Sequence, residues 1–264
     1  MLTRAQIQRL AQRHRVGSQV QERDYVQHLL LFLLYGRSQA LIFKEGTVLR
    51  LVYRGNRYSE DLDFNVSLRA KRSNGLADQP FLRDLWQRTV TDLQDFGITA
   101  EVRNAWQSEV GYSFDISYQG PLYDGRDRTK GKVRVDINLR PEAVESRAAL
   151  VTPEYDDLRP FVVQAITLEH LLAEKVRAFL VRGKPRDLYD IWLLSAQGVH
   201  PDPGLVRAKL ALYDLAPSAA RLEEALRQAE TDWERDLRPL LPRFVPWEEV
   251  APLEETLRRL FPGG

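Results

Sequence analysis

The sequence predicts an α/β (α+β) fold: a lobe with a mixed sheet, followed by a helical lobe. In the first part of the chain, short segments that alternate apolar and polar residues are interspersed with segments of helical periodicity. From Thr167 onward the pattern is helical, beginning with TLEHLLAEKVRAFLVRGKPRDLYDIWLLS. We therefore expect residues 1–160, with the N-terminal helices, to form the α/β lobe and residues 161–264 to form the helical lobe.

Composition excludes several classes of protein. With 44% apolar and 28% charged residues in 264, the chain is typical of a globular protein rather than a disordered or fibrous one. It contains no cysteine, which excludes disulfides, thiolate metal sites and cysteine nucleophiles. The 38 lysine and arginine residues nearly cancel the 37 acids, so nucleic-acid binding would need a local basic region.

Nothing in the hydropathy pattern predicts a membrane protein. The longest apolar run, residues 29–35, is much shorter than the roughly 20 residues of a membrane-spanning helix. The N-terminus lacks the basic and then apolar pattern of a signal peptide. We therefore expect a cytoplasmic location and no membrane partner.

The first elements of the α/β lobe can be predicted in order. Residues 3–15 and 20–36 have helical periodicity, and residues 40–43 form a short apolar strand candidate. The turn that follows contains Gly46 and Thr47, and Thr47 is the expected N-cap of a helix over VLRLVYR. This predicts a strand, a tight turn and a helix.

The next strand is expected in DLDFNVSL, where Asp61 and Asp63 share one face and the apolar residues share the other. A helix over residues 80–96 follows, and then three strands in TAEVRN, VGYSFDISYQG and KVRVDINLR. In the last of these strands, Asp136 alternates with apolar neighbours that face the core. Two helices that separate at RGKPRD begin the helical lobe.

The paired aspartates favour a metal site. Asp61 and Asp63 place two carboxylates a short distance apart on one strand face, as Mg²⁺ held together with substrate phosphates requires. Asp136 is the best candidate for a third carboxylate, which would complete a site for one or two Mg²⁺ ions in displacement at phosphorus. The alternative is that these acids are solvated residues of a half-buried strand, the usual explanation of an isolated D-x-D pattern.

Candidate phosphate ligands lie near the pair in the sequence. Gly46 and Thr47 offer backbone N–H groups and a hydroxyl at a helix N-terminus. Ser59 can share the face of Asp61, and Arg57 can add a cation. Each has an ordinary alternative, such as a helix cap for Thr47 and a turn residue for Ser59.

The helical lobe carries a further charged group. Lys175 lies beside the apolar stripe of its helix, where a lysine more often extends to water than binds a phosphate. Asp187 and Asp190 lie in the first turns of the next helix, where the helix dipole favours acids. Pairing of Asp187 with Arg177 or Arg182 is an equally plain interpretation.

The sequence lacks the motifs of hydrolase triads, zinc sites and P-loop enzymes. No G-x-S-x-G or Walker-type loop is present. The four histidines do not have the spacing of metal ligands: His14, His28, His170 and His200. A local basic run does occur in GRDRTKGKVR, which predicts a hairpin arm with alternating cations. Such an arm either contacts RNA phosphates or protects an edge strand with charge.

Three segments together carry a resemblance to a known family. In this order and spacing, KEGTVLRLVYRGNRYSEDLDF, KVRVDINLR and LEHLLAEKVRAFLVRGKPRDLYDIWLL resemble the AbiEii/AbiGii toxin family of nucleotidyltransferases, which includes the MenT toxins. The similarity extends from QERDYVQHLLLFLL to WERDLRPLLPRFVPWEEV. It implies a DNA polymerase β-like nucleotidyltransferase fold, an NTP substrate, Mg²⁺ as cofactor and a cognate antitoxin as partner. It also implies transfer of a nucleoside monophosphate, in some members to the 3′ acceptor end of tRNA.

The resemblance also implies residue roles. Asp61 and Asp63 would bind Mg²⁺, and Asp136 would be the third carboxylate. The residues that would hold nucleotide phosphates are Gly46, Thr47 and Ser59. The family's third block, in which the lysine contacts the triphosphate and the acids order or assist the site, is matched by Lys175, Arg186, Asp187 and Asp190.

One position departs from the family pattern. The family usually reads K-G-G-T-A-L where this sequence reads KEGTVL, so Glu45 replaces the first glycine. A side chain and a negative charge at this position would crowd or repel a phosphate. Three hypotheses follow: a Mg²⁺-dependent nucleotidyltransferase toxin acting on RNA, a catalytically weak relative that binds an antitoxin or RNA, and an enzyme with a protein or small-molecule acceptor.

Overall fold

The structure, a computed structural model, describes residues 1–68, 79–216 and 218–261. The chain divides into two compact units, which we call the sheet unit (Met1–Ile166) and the helical unit (Thr167–Gly264). Within the described residues, no helix is both long enough and apolar enough to cross a membrane.

The helices of the sheet unit lie close to where the sequence places them. They are α1 (Arg4–His14), α2 (Ser18–Arg37), α3 (Glu45–Leu51) and α4 (Gln79–Thr91). Thr3 and Gln6 form a capping box that fixes the start of α1. After α4 the chain continues as a 3₁₀ turn to Gly97, which ends it in the left-handed conformation that glycine adopts without strain.

The sheet is mixed, as the sequence predicts. Its strands are β1 (Leu41–Lys44), β2 (Asp61–Val66), β3 (Thr99–Gln107), β4 (Gly111–Gln119), β5 (Gly131–Asn138), β6 (Ser146–Val151) and β7 (Phe161–Ile166). Their order is β3-β4-β5-β2-β1-β7-β6. The pairs β2–β5 and β1–β7 are parallel, and the other neighbours are antiparallel.

The two last strands of the sheet correct the sequence-based assignment. Neither β6 nor β7 was expected, and residues 161–166 were assigned to the helical lobe. They belong to the sheet unit because β7 pairs with β1 through Phe43 and Ala165 and with the whole of β6. Local sequence cannot reveal the pairing with β1, since Phe43 and Ala165 are more than a hundred residues apart in the chain.

One face of the sheet packs on helices to form the core. On β2, Leu62 and Phe64 are fully buried on this face. The Trp86 ring of α4 lies 5.6 Å from the Phe64 ring and 5.3 Å from the Phe114 ring of β4. The aromatic contacts therefore fix β2, β4 and α4 together and leave the other face of these strands to polar residues.

A buried polar network joins α2 to α3. The Asp24 carboxylate accepts hydrogen bonds from Arg50 Nε at 2.5 Å and from the Tyr155 hydroxyl at 2.6 Å. Burial acts to raise the pKa of Asp24, but the Arg50 guanidinium and His28 outweigh it and hold this pKa below its usual value. The same guanidinium lies 3.5 Å from the centre of the Tyr58 ring, so the network reaches the turn that precedes β2.

The helical unit consists of α5 (Leu168–Arg182), α6 (Pro185–Ala196), α7 (Pro203–Ala211), α8 (Ala219–Leu237), α9 (Trp247–Val250) and α10 (Leu253–Arg259). The predicted break between α5 and α6 occurs at Gly183, whose φ is +57°, and Pro185 occupies the first turn of α6. Tyr189 and Trp233 bring α6 and α8 together, with ring centres 6.4 Å apart.

Candidate active site

The β2 strand presents its two aspartates as the alternation predicts. Asp61 and Asp63 are partly exposed, whereas the residues between and after them are buried. Because β2 and β5 pair in parallel, Asp63 lies directly opposite Asp136. Residues opposite each other in a sheet point to the same face, so the three acids share one side of two neighbouring strands. We call Asp61, Asp63, Asp136 and the nearby Glu45 the carboxylate cluster.

The charges of this cluster repel one another. Burial raises the pKa of Asp63 well above its usual value, and the negative charges of Glu45, Asp61 and Asp136 raise it further. Lys44, which is opposite Asp63 on β1, acts in the other direction. Acids therefore dominate the potential at Asp63, which is the condition under which a cation binds favourably.

Asp136 is held by a neighbouring arginine. Arg134 Nε lies 3.1 Å from Asp136 Oδ2, and Arg134 Nη1 lies 3.6 Å from Asp115 Oδ1 of β4. Within residues 1–68, 79–216 and 218–261, no group of three or more histidine, aspartate or glutamate side chains is arranged so that it could hold a metal ion as it stands. The donor set still fits a hard divalent cation, because such cations bind carboxylate oxygens and these acids share one face. The metal site therefore stays a prediction.

Thr47 does not cap its helix, contrary to the sequence-based expectation. The α3 helix begins at Glu45 with Lys44 as its N-cap, so Thr47 is already inside the first turn. Its hydroxyl instead donates a hydrogen bond to the Asp61 carbonyl oxygen at 2.5 Å. This bond joins the start of α3 to the start of the aspartate-bearing strand.

Gly46 lies against the two predicted phosphate ligands of the following turn. A Cβ atom at Gly46 would collide with the Arg57 guanidinium and would lie 3.1 Å from Ser59 Oγ. Arg57 is buried, and its Nη1 donates to the Tyr58 carbonyl oxygen at 3.1 Å. Gly46, Arg57 and Ser59 thus converge beside α3, and a side chain at position 46 would have to displace the Arg57 guanidinium.

Glu45 occupies a strained backbone position. Its φ is +60°, in the left-handed region that residues other than glycine, asparagine and aspartate rarely adopt. A glycine at this position, as in the family pattern, would have no such strain. The departure from the family pattern at this position was visible in the sequence, but its backbone conformation was not. Among the neighbouring charges, Glu45 acts most strongly on the pKa of Asp63.

The helical unit contains a second charged group, here called the helical ion cluster: Lys175, Arg182, Asp187 and Asp190. Lys175 Nζ lies 3.0 Å from Asp190 Oδ2 and 3.7 Å from Asp187 Oδ1. Arg182 binds Asp187 through two hydrogen bonds, of 2.6 and 2.7 Å. Both aspartates are fully buried and Lys175 is 2% exposed.

This cluster decides between the interpretations that the sequence left open. Lys175 does not extend to water, because its ammonium group is enclosed between α5 and α6 with two acids. Asp187 pairs with Arg182, one of the two plain alternatives, and Arg177 instead lies over the Tyr213 ring. Arg186 is partly exposed on α6.

A scan of family models gives one match. The family described as "Nucleotidyl transferase AbiEii toxin, Type IV TA system" matches residues 31–257, most of the chain. The chain belongs to the AbiEii family. It is thus a nucleotidyltransferase of a toxin family, and membership implies an antitoxin as partner, an NTP as substrate and use of a divalent metal ion.

Solved structures show the same fold as this AbiEii chain. MenT4, a nucleotidyltransferase toxin from Mycobacterium tuberculosis, is 19% identical with a TM-score of 0.71, and the match covers 100% of this chain and 91% of MenT4. JHP933 from Helicobacter pylori is 16% identical with a TM-score of 0.62, and the match covers 93% of each chain. No curated protein sequence matches significantly. The resemblance stated from the sequence and the fold class it implied are confirmed.

Proposed function

We propose that this AbiEii protein is a magnesium-dependent toxin of the cytoplasm. It transfers a nucleoside monophosphate from an NTP to RNA, at the 3′ acceptor end of tRNA, and so inhibits translation and growth. The observation that carries the proposal is the register of β2 and β5, which sets Asp63 opposite Asp136 and beside Asp61 on one sheet face. Family membership supplies the reaction class.

The residues of the sheet unit support each part of a displacement at phosphorus. The acceptor hydroxyl oxygen attacks the α-phosphorus, the bond from that phosphorus to the bridging oxygen of the β-phosphate breaks, and pyrophosphate leaves. Asp136, whose side chain is 38% exposed, accepts the hydroxyl proton. Asp61 and Asp63 would hold a divalent ion, which would supply positive charge for the triphosphate.

The nucleotide is bound by polar groups near α3. Gly46 lets the Arg57 guanidinium and the Ser59 hydroxyl lie against the first turn of α3, where the two side chains would bind a phosphate. Within the helical unit, we propose that Lys175, Asp187 and Asp190 order the packing of α5 and α6 through their buried ion pairs.

On this proposal the acceptor is RNA. The basic hairpin between β4 and β5 is the candidate contact for RNA phosphates, but some of its cations are paired with acids of the same hairpin. Arg126 pairs with Asp124, and Lys130 Nζ lies 2.8 Å from Asp127 Oδ1. Lys132, however, is 65% exposed on the strand that carries Asp136, and its Nζ is 3.9 Å from Asp115. A cation is thus presented on the same strand face as the proposed catalytic carboxylate.

The test is incubation of the purified chain with each labelled NTP, Mg²⁺ and total tRNA. We expect label in RNA that nuclease removes, and no label with Asp61→Asn. No transfer from any of the NTPs would contradict the proposal, and nuclease-resistant label would identify a protein or small-molecule acceptor instead.

Glu45 favours a second candidate function, that of a catalytically weak relative that binds an antitoxin or RNA. Its negative charge stands where the family has glycine, close enough to act on Asp63. Growth on expression of Asp61→Asn separates the two functions. Growth inhibition that persists in this variant would favour binding, and its loss would favour catalysis.

A further inference from the structure

A row of side chains crosses the open face of the sheet and ends at an exposed tryptophan. Trp106 of β3 lies opposite Ser113 of β4, and Ser113 lies opposite Asp136 of β5. Asp136 in turn lies opposite Asp63 of β2. Opposed residues share a face, so Trp106 is on the same face as the carboxylate cluster. At about 4.8 Å per strand, three strand steps separate Trp106 from Asp63 by roughly 14 Å.

The position of Trp106 in this row depends on a β-bulge. Arg103 pairs with Asp115 and Trp106 pairs with Ser113, so three positions on β3 match two on β4. Asn104, with φ of +50°, lies in the bulge, and its Nδ2 donates to Asp115 Oδ2 at 2.8 Å. Without the extra residue, Ala105 would be opposite Ser113 and Trp106 would point to the other face. Bulges of this kind redirect side chains near active sites.

The surroundings of Trp106 suit a planar ligand. Its side chain is 59% exposed, and its Cζ3 atom is 3.8 Å from where a Cβ of Gly111 would be, so the ring rests beside a residue that has no side chain. A single exposed tryptophan is not unusual in itself. Here it ends a row that also contains two of the proposed catalytic acids. Three cations lie further along the same face, each near an acid of that face: Arg103 with Glu101, Lys132 with Asp115, and Arg134 with Asp115 and Asp136.

We propose that Trp106 is a stacking platform for an unpaired base of the acceptor RNA. This inference rests on the proposed function and deepens it, because it names the form of the acceptor. Aromatic stacking together with nearby cations is how proteins bind single strands without reading a sequence. The roughly 14 Å from Asp63 corresponds to about four nucleotides at the 3.4 Å rise of a stacked strand. The ligand is therefore a short single-stranded 3′ end, whose last hydroxyl reaches the acids while an upstream base lies on Trp106.

The first experiment measures steady-state transfer of a labelled nucleotide to RNA by the full chain. We expect Trp106→Ala to raise the KM for acceptor RNA about tenfold, since stacking contributes that order of affinity. The KM for the NTP and the melting temperature should stay at their wild-type values. Trp106→Phe keeps an aromatic face and should recover most of the acceptor affinity. The control is Leu150→Ala, which removes an equally exposed apolar side chain, 62% exposed, from β6 at the other edge of the sheet.

The second experiment needs no catalysis. A single-stranded ribo-oligonucleotide should quench tryptophan fluorescence of the wild type, and Trp106→Phe should lose that quenching while the other four of the five tryptophans remain. Wild-type acceptor KM in Trp106→Ala, with RNA labelling intact, would overturn this inference and leave the proposed function standing. Absence of both RNA labelling and quenching in the wild type would overturn the two together.

Discussion

The carboxylate cluster and the helical ion cluster are built from the same residue types but have opposite electrostatics. On the sheet face, burial raises the pKa of Asp63, the acids Glu45, Asp61 and Asp136 raise it further, and Lys44 opposes them. In the helical unit, Asp187 and Asp190 are fully buried together with Lys175, and Arg182 binds Asp187 as well. Like charges dominate the carboxylate cluster, whereas the acids of the helical ion cluster are paired with cations.

This difference indicates different roles. Partly exposed acids that repel one another are costly without a ligand, so they are typical of a site that binds a cation and a substrate. Buried acids enclosed with cations are expensive to separate, and they fix the packing of the helices that carry them. The four predictions below test this contrast, from the largest expected effect to the smallest.

Lys175→Ala should destabilise the protein most. It leaves Asp187 and Asp190 buried without the ammonium between them, which costs roughly 3–5 kcal/mol when a buried pair is broken. Urea unfolding of the full chain measures the loss. A lysine that extends to water, the more common arrangement for its position in the sequence, could be replaced without such a loss, but Lys175 is buried.

A second buried pair in the same unit provides the control. Lys209 Nζ lies 2.9 Å from Glu174 Oε1, and both side chains are buried. Lys209→Ala should lose comparable stability. If Lys175→Ala then loses more activity than Lys209→Ala at equal folded fraction, Lys175 also has a role in the reaction. An unchanged unfolding midpoint in Lys175→Ala would contradict the structural role.

Asp63→Asn should impair the reaction and leave the stability of the protein intact. We expect nucleotide transfer to fall about 10²–10³-fold, the range seen when one preorganised electrostatic contact is removed. The melting temperature should not fall, because one of several repelling acids has gone. Added Mg²⁺ should raise the melting temperature of the wild type but not that of the variant. At a Mg²⁺ concentration of a hundred times the Kd, the expected stabilisation of the wild type is about 2.7 kcal/mol.

Glu60→Gln is the matched control on the neighbouring residue. Glu60 is half exposed and pairs with Arg23 at 2.6 Å rather than with the cluster. Its loss should change stability by less than about 0.5 kcal/mol and leave transfer intact. A collapse of folding in Asp63→Asn, with Glu60→Gln normal, would show that Asp63 is structural.

Asp24 gives the pH dependence expected of a paired acid in the sheet unit. Its pKa is held below the usual value mainly by Arg50 against the effect of burial, so the stability it contributes is complete above the unfolded pKa of about 3.9. That contribution is lost as the pH falls through the lower folded pKa. Asp24→Asn should cost roughly 2–3 kcal/mol at neutral pH and much less in acid. A pH-independent loss, measured by urea unfolding at several pH values, would contradict this.

Glu45→Gly should have the smallest effect of the four predicted substitutions, a modest gain in stability. A residue other than glycine at φ of +60° costs roughly 1–2 kcal/mol, so the variant should gain about 1 kcal/mol. It should also lower the KM for the NTP, because a negative charge near Asp63 is removed. Glu45→Gln keeps the strain and removes only the charge. Loss of transfer in both variants would show that the carboxylate takes part in the site.

The sequence predicted much of the fold because local periodicity depends only on near neighbours. It placed α1, α2 and β2 and predicted the break between α5 and α6 at Gly183 and Pro185. It also put Asp61 and Asp63 on one face. The resemblance of three segments predicted the AbiEii family and its fold, both of which were confirmed.

Only the tertiary structure decided which residues meet across the chain. The pairing of Asp63 with Asp136 depends on β2 lying beside β5, and the turn of Trp106 onto that face depends on the bulge in β3. The enclosure of Lys175 depends on the packing of α5 on α6. A residue's own periodicity indicates whether it faces the core or the solvent. Its partner across a sheet or a helix pair is set by the packing of the whole unit, which no local pattern contains.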